Sequence, residues 1–242
     1  LAETAEQARA LGVTVTHTEV NVADRAAVYA WADEVQRAHG RVHVVVNNAG
    51  VALGAPIETM RFEDFEWLMD INFWGVVYGT KAFLPLLRRA GEGHVVNISS
   101  VFGLFAVPTQ GAYNASKFAV RGFTECLRIE LAAQDSPIGV TCVHPGGIRT
   151  NIAAASRVDA DGSWGITSAA QAAQEFEKVA KTTPERAAQR IVRAVRRNQP
   201  RLLIGADAFV FDKLVRLMPV GFQRLMIWLG RLQRRRAVKA AA

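Results

Sequence analysis

The chain has 242 residues, half of them hydrophobic and about a fifth charged, which is enough for one substantial core and shows no linker, low-complexity tract or internal repeat. Its net charge of +7 is local: residues 213–242 hold eight basic side chains and no acidic one, the rest is close to neutral, and no aromatic-interleaved basic groove argues for a nucleic-acid partner. No apolar run reaches the roughly eighteen residues of a spanning helix, no signal peptide is visible, and Cys126 and Cys142 lack metal-ligand spacing, so they read as buried thiols of a reducing cytoplasm with no metal to expect.

Residues 1–11 read as a helix closed by Gly12, and residues 13–22, rich in valine and threonine, read as a strand. Asp24 then caps a helix running to His39, with Ala27, Trp31 and Val35 along one face and Gly40 at its end. Residues 42–46 are nearly continuously apolar, the pattern of a strand covered on both faces of a parallel sheet. That strand ends in Asn47-Asn48-Ala49-Gly50, small residues and amides that either let a flat ligand approach the backbone or form an ordinary turn. Strand, helix, strand in this order favours an α/β domain.

Residues 61–90 read as one long helix, apolar on nearly every side through Ile71, Phe73, Trp74 and Val76. Such a helix needs cover on both flanks; the sheet supplies one and a partner subunit the other. Asn72, an amide inside this stretch, must find hydrogen bonds or cost stability. Residues 95–100 form a buried strand ending in hydroxyls, and the apolar loop 101–108 that follows either lines a ligand cleft or closes over the core.

In Tyr113-Asn114-Ala115-Ser116-Lys117 a phenol and an ammonium share one face of a helix running through Glu130. At about 5 Å and an effective dielectric of about 20, the ammonium favours a phenolate by ~3 kcal/mol, enough to lower a phenol pKa of about 10 by ~2 units. A proton donor with a pKa near the working pH suits carbonyl–alcohol chemistry, while the same pair can also simply pack and snorkel on a helix. Residues 137–143 give the next buried strand, ending in His144-Pro145-Gly146-Gly147-Ile148-Arg149-Thr150, with His144 a strand-end residue and not a metal ligand. Pro184 opens a helix ending near Arg197, and residues 201–205 are the last strand. Beyond it Phe222, Leu225, Met226, Leu229 and Leu232 recur at helical spacing with Arg224, Arg231 and Arg235 on the other face. This basic amphipathic helix either packs over the body or lies on an anionic membrane surface.

Taken together, Asn47-Asn48-Ala49-Gly50, Ser100-Val101-Phe102-Gly103, the Tyr113 to Lys117 motif and Pro145-Gly146-Gly147 resemble, in order and spacing, the short-chain dehydrogenase/reductase family, over residues 1 to about 205. The resemblance implies a Rossmann-like, doubly wound parallel sheet flanked by helices, with NAD or NADP as cofactor. It makes Ser100 the holder of the substrate oxygen, Tyr113 the acid/base, Lys117 the group that lowers the Tyr113 pKa and binds the nicotinamide ribose, and Asn72 the anchor of a relay water. Cofactor contacts then fall to Asn21 and Val22 at the adenine, to Asn48, Ala49 and Gly50, to Tyr113 and Lys117, and to Pro145, Gly146, Ile148 and Thr150 near the nicotinamide. Residues 153–183 become the substrate lid, and subunits pair through the 61–90 and Tyr113 helices as a homodimer or homotetramer.

One departure is large. The glycine-rich turn G-x-G-x-x-G is absent from this chain, and Leu1-Ala2-Glu3-Thr4-Ala5-Glu6 already reads as the helix after the family's second strand, so roughly forty residues of a first βαβ unit are expected to be missing. The residue that selects NAD or NADP normally follows that second strand. The expected organisation is a dinucleotide-binding and catalytic unit over 1–205 with a basic helical extension over 206–242. The expected activity is NAD(P)-dependent interconversion of an alcohol and a ketone or aldehyde on an apolar substrate. Two other readings stay open: a catalytically silent scaffold lacking the phosphate-binding helix N-terminus, and a serine hydrolase pairing Ser100 with Lys117 without a G-x-S-x-G elbow. The expected location is the cytoplasm, with peripheral contact at the inner face of the membrane through residues 213–236.

Overall fold

A computed structural model describes residues 1–159 and 168–241, those after Leu232 by backbone alone. In chain order the elements are α1 (Ala2–Arg9), α2 (Arg25–His39), β1 (Val44–Asn47), β2 (Leu53–Gly54), α3 (Phe62–Met69), α4 (Gly75–Ala90), β3 (Gly93–Ile98), α5 (Gly111–Ala133), β4 (Ile138–Pro145), β5 (Arg157–Val158), α6 (Ala169–Val179), α7 (Pro184–Arg196), β6 (Arg201–Ile204), α8 (Ala206–Leu217) and α9 (Pro219–Ala241). β1, β3, β4 and β6 form one sheet in that order, every pair parallel. β2 and β5 pair separately.

Side-chain alternation along the strands decides which helix covers which face. Val45, Val95 and Val140 point to one side, where Phe83, Leu87, Leu127 and Leu131 of α4 and α5 meet Val28 and Ala32 of α2. Val96, Val143, Leu202 and Ile204 point to the other and are covered by Ala187 and Ala194 of α7. β3, β4 and β6 are buried on both faces and carry apolar residues on both. β1 departs from the expected cover on both faces: Val45 is buried, but Val44 and Val46 on its other face are 46% and 47% exposed. Helix ends follow local chemistry. Asp24 Oδ1 accepts from the Ala27 N–H, Gly40 takes φ 72° at the C-cap of α2, and Thr183 accepts from the Arg186 N–H with Pro184 as the first residue of α7.

Further expectations are corrected or refined by the structure. Residues 13–22 form no strand: Thr16 bonds His39 and Thr18 bonds Glu34, both on α2, and no ladder partner stands beside them among the described residues. β-propensity without a neighbouring strand makes no sheet. Residues 61–90 are helical without a break from Phe62 to Ala90, as expected, but not uniformly α-helical: a π-helical turn at Asp70–Trp74, which carries Asn72, joins α3 to α4. Cys126 is exposed on α5, and only Cys142 is buried. Leu225 and Leu229 do not share the buried face of α9 with Phe222 and Met226; they are exposed, as are Ile227 and Trp228.

The apolar loop 101–108 closes over a core of its own. The Phe105 ring lies 4.9 Å from both Phe211 of α8 and Phe222 of α9, and Phe102 lies 5.6 Å from Phe105 and 6.1 Å from Tyr113. The carboxyl-terminal helices are thus packed onto the loop that leaves Ser100. Arg235, expected on the polar face of α9, and residues 160–167 of the 153–183 stretch lie outside the described side chains. Among the described residues no helix is long and apolar enough to cross a membrane.

Candidate active site

All four strands of the main sheet run the same way, so Asn48 to Gly50, Ser99 and Ser100, Pro145 to Gly147 and Gly205 emerge at one edge. In open α/β sheets that edge is where ligands bind. Beneath it a buried polar network locks β1, β3, α4 and α5 together. Asn47 Nδ2 donates to Asn97 Oδ1 at 2.7 Å and to Thr80 Oγ1 at 3.0 Å, and Asn97 Nδ2 donates to Thr124 Oγ1 at 3.0 Å. Gly79 is required there, since a Cβ on it would stand 2.2 Å from Asn47 Oδ1.

Ser100 caps the short 3₁₀ turn Val101–Gly103, its Oγ accepting from the Phe102 N–H at 3.1 Å. Its carbonyl lies 3.1 Å from Nδ1 of His144, a fully buried residue. Burial lowers the His144 pKa to about 4, so the ring is neutral, and a carbonyl can only accept; the proton therefore sits on Nδ1. His144 is a positioning group for Ser100, which agrees with its expected strand-end role.

Tyr113 and Lys117 lie one turn apart on α5. Lys117 is only 4 % exposed; its Nζ donates to the Ile98 carbonyl at 3.1 Å and stands 5.5 Å from the centre of the Tyr113 ring. Burial lowers the Lys117 pKa to about 8. Tyr113 is partly exposed, yet enough protein surrounds its phenol that desolvation pushes the pKa up to about 12, with hydrogen bonding to the Ser100 side chain pulling the other way. This reverses the acidification expected from the spacing. Both groups lose solvation inside the protein, a cost that the attraction of the ammonium for a phenolate does not offset.

Asn72 is fully buried. Its Oδ1 accepts from the Val51 N–H at 2.8 Å, and its Nδ2 donates to the Val51 carbonyl at 2.9 Å and to Ser116 Oγ at 3.3 Å. Ser116 Oγ in turn donates to the Tyr113 carbonyl at 2.8 Å. A Cβ on Gly50 would stand 3.3 Å from Asn72 Oδ1 and 3.6 Å from Lys117 Nζ. Gly50, Asn72, Tyr113, Lys117 and Ser100 are thereby gathered at one place. Ser99 Oγ ties the end of β3 to α5 by donating to the Lys117 carbonyl at 2.8 Å. Lys117 bonds Ile98 and not Ser100, so the nucleophile–base pair of a serine hydrolase is not formed.

Pro145, Gly146 and Gly147 reach the same edge and are latched by Asp207 in the first turn of α8. The Gly147 N–H donates to Asp207 Oδ2 at 2.8 Å, and a Cβ on Gly146 would stand 2.1 Å from that oxygen. Sequence reading missed Asp207; the available signal was an acidic residue just after Gly205, which takes φ 98°. Asn48, Ala49 and Gly50 are exposed at the strand end. The Ile148 side chain turns into the core under α7 and its backbone pairs with Thr182. Thr150 is exposed; Asn21, also exposed, forms a turn by accepting from the Ala23 N–H; and Val22 packs against Gly75 of α4.

Helices on both faces of a parallel sheet, with a phenol, an ammonium and a hydroxyl at its carboxyl edge, define a Rossmann-like α/β protein. Residues 1–161 match the family model described as short chain dehydrogenase. Mycobacterium tuberculosis SadH, named as an oxidoreductase, is 49% identical over 228 residues, covering 93% of this chain and 80% of SadH. The crystal structure of a short-chain dehydrogenase/reductase from Burkholderia phymatum in complex with NAD matches with a TM-score of 0.81 at 29% identity, covering 92% of this chain and 82% of that one. A metagenomic short-chain oxidoreductase in complex with NADP matches with a TM-score of 0.56 at 32% identity, covering 60% and 65%. The chain belongs to the short-chain dehydrogenase family.

Proposed function

We propose that this chain is an NAD- or NADP-dependent oxidoreductase that interconverts an alcohol and a ketone or aldehyde, with Tyr113 as general acid/base. The observation that carries this reading is the Tyr113 phenol one helical turn from the buried Lys117, whose Nζ stands 5.5 Å from the Tyr113 ring centre, with Ser100 gathered at the same strand end. A bound nicotinamide supplies or accepts the hydride. The residues suit such a group: Gly50 leaves open the space between Asn72 and Lys117, the exposed Asn48 and Ala49 flank it, and Lys117 Nζ has three N–H donors with the Ile98 carbonyl as one acceptor. The remaining donors would hold the ribose hydroxyls, with Pro145, Gly146, Ile148 and Thr150 along the nicotinamide side and Asn21 and Val22 toward the adenine.

In the reducing direction Tyr113, protonated at neutral pH, delivers its proton to the carbonyl oxygen that Ser100 holds. Lys117 stabilises the phenolate that remains. Asn72 acts first as a positioning residue for Val51 and Ser116, and the free acceptor position on its Oδ1, facing Gly50, would anchor a relay water. The partly exposed Phe102, whose ring lies 6.1 Å from that of Tyr113, supports an apolar substrate. Exposed Phe62, Trp74, Phe118 and Ile129 on α3, the π turn and α5 support pairing into a homodimer or homotetramer. Residues 206–242 extend the 1–205 unit in this reading. The exposed Val220, Ile227 and Trp228 beside Arg224 and Arg231 support peripheral contact of residues 213–236 with the inner face of a membrane, from the cytoplasm.

The test is a Tyr113→Phe variant assayed by NADH and NADPH consumption with medium-chain aldehydes. Turnover should fall at least 100-fold, the lower end of general acid–base contributions, with dinucleotide affinity kept within about threefold. Unchanged turnover would remove Tyr113 from the chemistry, and loss of dinucleotide binding in the parent chain would favour the silent scaffold.

A further inference from the structure

A cavity of about 310 Å³ opens along β6, an edge strand of the sheet, between α7 and α8. Arg190, Arg193, Arg197 and Arg201 line it together with Leu202 and Phe209. Arg190, Arg193 and Arg197 follow one another at spacings of three and four residues, so they share a face of α7, and like charges at these spacings weaken a helix. No ion pair among the described residues relieves them. Arg201 bonds Asp212 through both terminal nitrogens, and Asp212 also accepts from Arg216 Nε at 3.0 Å. Asp212 is thus fully engaged and leaves the α7 arginines uncompensated. The Arg201 Nε is buried without a hydrogen-bond partner. Arg190 lies over the Phe209 ring at 5.6 Å, which holds its guanidinium against an apolar group.

We propose that this cavity is a binding site for the phosphate group of a lipid, with Arg190, Arg193 and Arg197 forking onto the phosphate oxygens and the apolar chain lying along the exposed Phe209. Planar guanidinium groups suit phosphate because each can make two parallel charge-assisted hydrogen bonds. A free phosphate would gain nothing from the apolar ring. The rim points to a lipid: Phe209 and Val210 are exposed on α8 beside the cavity, and Leu217 at the end of the same helix is 79% exposed. None of the residues assigned to the Tyr113 site lines this cavity, and the proposal does not rest on the activity proposed above.

The test is calorimetric titration of the full chain with monomeric dihexanoyl phosphatidic acid, with dihexanoyl phosphatidylcholine and inorganic phosphate as comparators. An Arg193→Ala/Arg197→Ala variant removes two exposed guanidinium groups, and its thermal midpoint checks that it is folded. Phosphatidic acid should bind saturably, at least tenfold more tightly than either comparator, and the double variant should bind it at least tenfold more weakly. Equal affinity for inorganic phosphate overturns the lipid assignment. Absence of binding, or binding unchanged in the folded double variant, overturns the site.

Discussion

Replacing Asn72 by alanine removes the latch that holds the strand-end loop after Gly50. Three hydrogen bonds are lost, two of them to the Val51 backbone at 2.8 and 2.9 Å, and Asn72 itself is fully buried. A buried polar group left unsatisfied costs about 1–3 kcal/mol, and Val51 has both an N–H and a C=O to strand. Val51 is only half-buried, so water recovers part of this, and a net loss of about 2–4 kcal/mol follows. For a chain of this size that corresponds to a fall of about 5–15 °C in thermal midpoint. Asn72→Asp should rescue little, because a second oxygen would face the Val51 carbonyl where a donor stood. The assay is urea and thermal denaturation of the parent and both variants, read by circular dichroism. If Asn72→Ala melts within about 1 °C of the parent, Val51 is held by something else and the latch argument is wrong.

Two helical glycines should respond oppositely to alanine. Gly79→Ala forces a Cβ to 2.2 Å from Asn47 Oδ1 and breaks the polar network, destabilising by about 2–3 kcal/mol; Gly122→Ala meets no atom within 4 Å and should gain about 0.5–1 kcal/mol, both read by urea unfolding. Acid should act through His94 and His144, whose folded pKa values of about 4 lie below the ordinary 6.5. The unfolded chain binds these protons first, so their contribution is complete above about pH 6.5 and is lost as pH falls toward 4, with a slope of up to about 2.7 kcal/mol per pH unit. Asp212, held down to about 2 by Arg201 first and Arg216 second, adds a further loss below about pH 4, and denaturation curves at stepped pH read both phases. Asp207→Ala should lower the thermal midpoint by about 2–8 °C and, under the proposed activity, weaken NAD(P)H binding by releasing Gly147.

Much of the fold was legible because its signals are local. β4 announced its two-sided burial as a nearly continuous apolar run, while the same signal misled at β1, whose Val44 and Val46 are exposed; Asp24, Gly40 and Pro184 marked helix ends through their own backbone chemistry. The site was legible in part: strand-end amides, glycines and hydroxyls, and the Tyr113–Lys117 spacing, were all in the sequence. Asp207 was not, because its partner Gly147 lies sixty residues earlier and only folding brings the two together.

The linear order of residues therefore determined which segments would be helix or buried strand and which side chains would stand at one edge of a parallel sheet. Tertiary structure decided the rest. It left residues 13–22 without a ladder, inserted the π-helical turn that aims Asn72 at Val51, and laid α8 and α9 onto the loop beside Tyr113. It also set the direction in which Tyr113 titrates, since an ionisable group responds to the water it loses as much as to the charge beside it, and that loss is a property of the packed molecule.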